Sequence, residues 1–176
     1  MLITDQKEYS QVLDTIIQHL KYSQELAKRL GLNNLSQPGV VKEIIMANAL
    51  GHKVQTSKHL HDAESFTDSE ERYEYLTCLD GGSFQLDRVS EENLEMIETR
   101  NKYVYCGIFN KAEPLHLEQI YELDPSRLYK FMLDKYSASS STSRHVNVRL
   151  KDILAKGILT ERKQPVWQTQ YRNDAI

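Results

Sequence analysis

The first fifty residues carry apolar positions at helical spacing. From about Asp5 to Leu30 apolar residues recur on one side of the predicted helix, and Gly31 ends the pattern. Pro38 then stands at a typical helix start, and Val40–Leu50 is apolar on nearly every side. The pattern therefore predicts an amphipathic N-terminal helix followed by a buried one.

After Gly51 the apolar residues follow the period of β-strands. Lys53–His61 can be extended, Tyr73–Leu79 alternates, and Tyr103–Phe109 is apolar almost throughout. Leu115–Leu123 is predicted to pair with this last segment as a hairpin. The middle of the chain is therefore expected to form a sheet.

Three shorter helices are predicted beside these strands. Each has a capping residue before it or a glycine after it. They run from Ser90 to about Arg100, from Asp124-Pro125 to Tyr136, and over Leu150–Lys156, which Gly157 closes.

This order of elements predicts the fold class. The polar stretch Ser137–Ser143 is expected to be a loop, and it is too short to link two domains. Helices thus precede and follow a central sheet. We expect one α/β (α+β) domain over residues 1–176, with a mixed β-sheet flanked by helices.

Composition narrows the class of protein. The chain has 176 residues, of which 40% are hydrophobic and 27% charged, as expected for a folded protein. No apolar run approaches the ~18 residues of a membrane span, and no charged-then-apolar leader opens the sequence. Cys78 and Cys106 are too few for a disulfide framework or a zinc site. We therefore expect reduced thiols, a cytoplasmic location and no membrane association.

The charge is divided unevenly along the chain. Residues 127–176 contain ten Lys and Arg against four Asp and Glu, a net charge of +6, whereas residues 1–126 carry −9. Such asymmetry can mean a basic surface facing phosphate beside an acidic cation site. It can equally mean a solvated acidic turn and a basic tail that aids solubility.

Asp62 and Glu74 are the candidate metal ligands. Asp62 lies at the end of one predicted strand, and Glu74 lies within the next. Carboxylates on adjacent strands can converge on one divalent cation, and the carbonyl of Tyr75 can add an oxygen; such a site suits Mg²⁺. A metal held there would serve phosphodiester hydrolysis. On spacing alone, ordinary surface carboxylates are the better interpretation.

The order of motifs along the chain adds a resemblance to a known family. The motifs are PG at 38–39, VKEIIMANALGHKV, HDAESF, ERYEYL, GGSFQ, IETRNKYVYCGIF and LEQIYELDPSRL. In order and spacing they resemble the PvuII-like type II restriction endonucleases of the PD-(D/E)xK nuclease superfamily. The resemblance runs from the first helix to about Gly157. Its best parts are Asp62-Ala63, Tyr73-Glu74 and Ile120–Pro125.

The resemblance implies a restriction-endonuclease-like fold and a Mg²⁺ site at Asp62, Glu74 and Tyr75. It also implies cleavage of double-stranded DNA at a short symmetric site by a homodimer, with the helix at about 5–30 as the dimerisation element. A cognate DNA methyltransferase would be the functional partner. Two alternatives remain, which are a catalytically silent DNA-binding module and a non-specific repair nuclease.

The third residue of the family motif is absent. The family places a lysine two residues after the second acid, where this chain has Leu76. A second metal held by Glu64 or Glu43 is one explanation, and binding without cleavage is another. A lysine from elsewhere is a third, the candidates being Lys42, Lys53 and Lys58, with Lys58 assigned as catalytic.

DNA reading is the second function that the resemblance implies. The segment after the Gly81-Gly82 turn aligns with a family strand that enters the major groove, and the loop before the last helix aligns with guanine-reading residues. Gln pairs well with adenine, and Arg with guanine. An ordinary strand start and a phosphate-facing loop are the alternatives. The candidate DNA-binding residues are Ser83, Phe84, Gln85, Arg88, Arg144, His145, Asn147 and Lys151, with Asp87 as a neighbour and Arg162 and Lys163 as phosphate contacts.

Other conspicuous side chains are assigned to packing or to the sheet edge. His59 and His61 lack the third ligand that zinc needs, so we favour polar edge residues or phosphate contacts. The tyrosines of the two central strands, Tyr73, Tyr75, Tyr103 and Tyr105, are predicted to pack across strands.

Overall fold

The computed structural model describes residues 6–37, 39–55, 61–86, 89–138 and 145–165, with the backbone alone for residues 6–9. Pro38, the predicted helix start, lies outside these residues. The chain divides into two compact units, residues 1–40 and 41–176. That they form a single domain stays a prediction.

The predicted mixed α/β character is confirmed. The elements in chain order are α1 (Gln6–Arg29), α2 (Val40–Leu50), β1 (Lys53–Val54), β2 (Ala63–Glu64), β3 (Arg72–Leu79), β4 (Phe84–Leu86), α3 (Glu91–Arg100), β5 (Tyr103–Phe109), β6 (Leu117–Leu123), α4 (Pro125–Ala138), β7 (Val146–Val148), α5 (Leu150–Ala155) and β8 (Leu159–Lys163).

The N-terminal unit is built on α1, which matches the predicted helix. Gly31, with φ of 83°, follows its last turn. Gln24 fixes the chain that follows: its Oε1 accepts the backbone N–H of Leu35 at 2.8 Å, and its Nε2 donates to the carbonyl of Asn33 at 3.2 Å. The polar turn after α1 is therefore held by side-chain bonds to the helix itself.

In the described part of the chain, six strands form the main sheet, in the order β1-β2-β3-β5-β6-β8. β3 and β5 are parallel, with Tyr73 opposite Tyr103, and every other pair in this sheet is antiparallel. α3 makes the crossover between the two parallel strands, as a parallel connection requires. Ser90 caps that helix, accepting the N–H of Asn93 at 3.1 Å. This cap was predicted.

The two faces of the sheet carry separate apolar cores, because side chains of a strand alternate between faces. On one face Tyr73 and Tyr75 of β3 join Met46 and Ala49 of α2. The other core is larger and combines strand residues with α3, α4 and α5. Its members include Leu76, Cys78, Leu94, Val104, Cys106, Leu128, Met132 and Ile153.

Three predicted boundaries were wrong. α4 runs to Ala138, two residues beyond the predicted end and into the expected loop, whose remainder lies outside the described residues. β6 begins at Leu117 because the turn before it is closed by a bond from the His116 N–H to the Glu113 carbonyl. Lys53–His61 is a strand only at Lys53–Val54 within the described part of that segment.

Three strands, β2, β7 and β8, were not predicted; β2 begins beyond the predicted end at His61. β7 occupies part of the expected loop before α5 and pairs with β4, with Gln85 opposite Asn147. β8 follows α5 and pairs with β6 at the sheet edge. Both are short or polar, so their hydrogen-bonding partners rather than their own sequence pattern determine them. Among the described residues, no helix is long and apolar enough to cross a membrane.

Candidate functional site

Asp62 and Glu74 lie on neighbouring segments of the main sheet. Ala63 pairs with Tyr73 in antiparallel register, and the same register carried one residue further sets Asp62 opposite Glu74. Asp62 is also bonded through its backbone: its N–H donates to the Tyr73 carbonyl at 3.1 Å, and its carbonyl accepts from Gln55 at 2.9 Å. The strand pairing therefore brings the two acids together.

The carboxylate of Asp62 is held in place by the backbone of β3. Its Oδ2 accepts the N–H of Tyr75 at 2.8 Å. Charge–dipole bonds of this kind are stronger than neutral ones, and they fix a carboxylate without neutralising it. Both Asp62 and Glu74 are partly exposed.

These residues fit a magnesium ion in the chemistry of their oxygens. Two carboxylates and the Tyr75 carbonyl are hard ligands, and Mg²⁺ commonly uses few protein ligands because it retains several waters. Within the described ranges, no group of three or more His, Cys, Asp or Glu converges as a metal cage. The residues that would hold the ion are thus a minimal set.

Leu76, the residue that the resemblance aligns with a lysine, belongs to the core. It lies on the same face of β3 as Glu74, two residues away. Its side chain is buried, with 7% of the residue exposed, and it packs in the cluster that also contains Leu94 and Val104. A charged side chain here would have to displace this packing.

Two of the candidate replacement lysines have other contacts. Lys53 Nζ donates to Glu64 Oε1 at 2.6 Å. Gln55 Nε2 donates to the second oxygen of that carboxylate at 2.5 Å. Lys42 Nζ lies 4.8 Å from the centre of the Phe109 ring. Lys58 lies outside the described residues.

The bonds to Glu64 also bear on the idea of a second metal. The hydrogen bond from Lys53 is the first cause that holds the pKa of Glu64 below its ordinary value, although burial opposes it. The carboxylate is charged, but both of its oxygens accept from neighbouring side chains. A metal at Glu64 would have to replace those bonds.

His61 differs from its expected role as a polar edge residue. It is buried, and neither ring nitrogen has a hydrogen-bond partner; Glu64 Oε2 lies 3.9 Å from its Nε2. Burial and the nearby Arg72 lower the pKa of this imidazole, which favours the neutral ring. His59 lies outside the described residues.

The predicted DNA-reading segments form one two-stranded sheet. Gln85 of β4 stands opposite Asn147 of β7, and both residues are exposed. The hydroxyl of Ser83 donates to Asn147 Oδ1 at 3.4 Å, while His145 is exposed just before β7. Phe84 is fully buried opposite Val148, so its side chain packs in the core instead of facing outward. Asp87, Arg88 and Arg144 lie outside the described residues.

A cleft of about 540 Å³ lies between the turn after β3 and the start of α5. Gly81 adopts a φ of 75° in that turn, and the Gly82 N–H bonds to the Leu79 carbonyl at 2.9 Å, as the glycine pair predicts. Arg149 and Lys151 form part of the opposite wall. Lys151 therefore lies beside the turn that precedes β4.

Sequence reasoning missed a polar aromatic cluster on the other sheet face. The ring of His52 stacks on Tyr73 at 4.0 Å between centroids, and its Nδ1 lies 2.8 Å from the Tyr75 hydroxyl. Burial lowers the pKa of His52 to about 4, with Glu71 opposing and Lys163 adding to the effect. The alternating tyrosines indicated packing, but His52 carried no pattern of its own.

Glu122 is the second missed member of this face. It is buried, and its Oε2 accepts from the Tyr105 hydroxyl at 3.1 Å and from Lys163 Nζ at 2.9 Å. Burial, followed by the charge of Glu122, raises the pKa of Tyr105. Lys163, expected to face phosphate, is thus paired with an internal carboxylate.

Comparison with models of known protein families gives no match for this chain. Comparison with curated protein sequences gives none either.

Proposed function

We propose that this chain is a Mg²⁺-dependent type II restriction endonuclease that cuts double-stranded DNA at a short symmetric site. The observation that carries the proposal is the placement of Asp62 opposite Glu74, with Asp62 fixed by the Tyr75 N–H at 2.8 Å. A partly exposed pair of carboxylates on neighbouring segments of the main sheet supports a site for one hard cation.

Each part of the chain has a defined task in this proposal. Asp62, Glu74 and the Tyr75 carbonyl would hold the ion, which when bound polarises a phosphoryl oxygen and makes bound water more acidic. The Tyr75 N–H donates to Asp62 Oδ2 and so helps to fix the orientation of this carboxylate. The protein thereby supplies orientation and negative charge.

The exposed side chains of Gln85 and Asn147 on the β4–β7 sheet support the proposal that this chain reads a DNA sequence. Side-chain amides donate and accept together, which suits the adenine edge in the major groove. Gln85 and Asn147 stand directly opposite one another, so one pair of strands can present both to adjacent bases. Lys151 supports a phosphate contact nearby.

A homodimer is part of the proposal, because a symmetric DNA site calls for a symmetric protein. α1 has an apolar face with large exposed fractions, such as 48% at Ile16 and 61% at Leu20. Sedimentation at micromolar concentration is expected to give a dimer, and Ile16→Glu with Leu20→Glu is expected to give a monomer. A cognate DNA methyltransferase encoded nearby would support the same proposal.

A catalytically silent DNA-binding domain is the second candidate. The specific observation in its favour is Leu76, which fills the family lysine position with a buried apolar side chain. Among the described residues, the candidate replacements Lys42 and Lys53 already contact Phe109 and Glu64. Such a domain would bind DNA and leave it intact.

Digestion of phage DNA separates these candidates. With Mg²⁺ and the full-length chain, a restriction enzyme gives discrete bands that vanish with EDTA. A smear indicates a non-specific nuclease. DNA that is bound in a mobility-shift assay but stays uncut with Mg²⁺ and with Mn²⁺ indicates the silent domain and overturns the nuclease proposal.

A further inference from the structure

A second cleft, of about 420 Å³, lies along α4 and reaches the chain between α5 and β8. Its volume is within the range of small-ligand sites, about 300–1,000 Å³. We call it the basic cleft. The residues that define it are Arg127, Lys130, Phe131, Asp134, Lys135 and Lys156.

The basic cleft has an excess of positive charge. Among the described residues, four cationic side chains line it against one carboxylate, that of Asp134. Arg127, Lys130 and Asp134 share one side of α4, because residues three and four apart are neighbours on a helix. Like charges gathered at one site repel each other, and a bound anion relieves that repulsion.

Two of the cations are available for a ligand. In the part of the chain that the structure describes, the ammonium groups of Lys130 and Lys156 have no ion-pair or hydrogen-bond partner, and both residues are exposed. Arg127 is oriented, since its Nη1 donates to the Gly157 carbonyl at 2.6 Å. A guanidinium has five N–H donors, so most of them remain for an anion.

The remaining cation links the cleft to the DNA-reading sheet. Lys135 Nζ lies 5.0 Å from the centre of the Phe131 ring and donates to the Asn147 carbonyl at 3.0 Å. It also pairs with Asp152 at 3.3 Å. Phe131 therefore adds a half-buried aromatic surface to the cleft, and Lys135 connects the cleft to the backbone of Asn147.

We propose that the basic cleft binds a phosphate ester, with the phosphate on Lys130, Lys156 and Arg127 and the organic part against Phe131. A phosphate suits this set better than a carboxylate because its oxygens accept from several donors at once. The phosphate can belong to a free nucleotide or to the DNA backbone next to Asn147. The DNA source rests on the proposed function, whereas the free nucleotide does not.

Binding of thymidine 5′-monophosphate and of a short DNA duplex tests the cleft, both in Mg²⁺-free buffer with the full chain. The Lys130→Ala/Lys156→Ala double variant is compared with Lys111→Ala, which removes an exposed lysine from another loop. A Lys130→Arg/Lys156→Arg variant keeps the charge and is expected to bind like the wild type. Thermal unfolding checks that each variant is folded.

For either ligand, the Lys130→Ala/Lys156→Ala variant is expected to have a Kd raised about tenfold or more. Lys111→Ala is expected to leave the Kd unchanged. If DNA is the source, the salt dependence of duplex binding should also fall by about two units of slope. Weakening for the nucleotide alone identifies a free nucleotide as the ligand.

If the Lys130→Ala/Lys156→Ala variant binds as tightly as the wild type, the proposal that the basic cleft binds a phosphate ester is overturned. The same conclusion follows if the wild type binds neither ligand. Cleavage by the wild type is scored separately. If the wild type cuts DNA but the two alanine substitutions have no effect on binding, the proposed function is supported and phosphate binding in the basic cleft is rejected. If the protein binds the nucleotide through these lysines but does not cut DNA, phosphate binding in the basic cleft is supported and the proposed function is rejected.

Discussion

The carboxylate of Asp62 accepts the backbone N–H of Tyr75, the residue that follows Glu74, at 2.8 Å. One hydrogen bond thus ties the first candidate metal ligand to the strand that carries the second. The distance between the two acids is set by the backbone of β2 and β3 and does not rely on flexible side chains alone. This relationship makes the site testable residue by residue.

Asp62→Asn removes the charge and keeps an oxygen for the Tyr75 N–H. We expect cleavage to fall more than about 100-fold, because an amide is a poor Mg²⁺ ligand. Glu74→Gln should behave alike, while DNA binding persists in both. The rate of plasmid cleavage and a mobility-shift assay measure the two effects. Glu70→Gln changes an exposed acid of the same segment and should cut normally.

Asp62→Ala provides a structural control for the same site. It should cost about 1 kcal/mol more stability than Asp62→Asn, since the Tyr75 N–H loses its acceptor. Denaturant unfolding measures the difference. Wild-type cleavage by Asp62→Asn would refute the assignment of the metal site.

Leu76→Lys introduces a lysine into a core position. We expect the free energy of unfolding to fall by about 2–5 kcal/mol, because a buried ammonium loses its hydration. Leu76→Met, which conserves volume, should cost less than about 1.5 kcal/mol. Chemical denaturation compares the two. A variant with lysine that is as stable as wild type and cuts faster would show that position 76 belongs to the active site and not to the core.

His52 should make stability depend on pH. Its pKa is about 4 in the folded protein against an ordinary 6.5, so the unfolded chain takes up this proton first as the pH falls. The contribution of the neutral His52 ring to the stability of the folded protein is present above pH 6.5 and is lost as the pH falls towards 4. His52→Asn should therefore flatten the dependence of Tm on pH in this window.

Lys163 and Glu122 should be energetically coupled. Lys163→Met leaves the buried Glu122 carboxylate with the Tyr105 hydroxyl, and we expect a loss of about 1–3 kcal/mol. Glu122→Gln in the same chain should recover part of that loss, because no unpaired charge remains. A double-mutant cycle by denaturation measures the coupling. Strictly additive effects would mean that the ion pair contributes nothing.

Gly107 allows α2 to approach the sheet. A Cβ at this position would overlap Met46 Sδ and lie 3.3 Å from Leu117 Cδ1. Gly107→Ala should thus destabilise the protein by about 1–3 kcal/mol through overpacking. Met46→Ala in the same chain should make the added methyl group less costly. If Gly107→Ala is neutral alone, the contact between α2 and β5 is looser than the structure indicates.

Local sequence determined the helices and the two central strands. The boundaries of α2 and β5 were predicted to the residue, and the Ser90 cap and the Gly81-Gly82 turn were found as expected. These features depend on side chains and backbone preferences within a few residues. Periodicity, capping and glycine conformation therefore suffice to predict them.

Tertiary pairing decided the rest. β7 and β8 are strands because β4 and β6 supply their hydrogen bonds. Neither contains a run of apolar residues from which a strand could be predicted. The same holds for the sites: the sequence predicted that Asp62 and Glu74 can converge on one cation, and the β2–β3 register, carried one residue further, sets them opposite each other. His52, Glu122 and Lys163 come from distant segments, so no local pattern could assemble them. Sequence specifies which groups are available, and contacts between remote segments decide which of them meet.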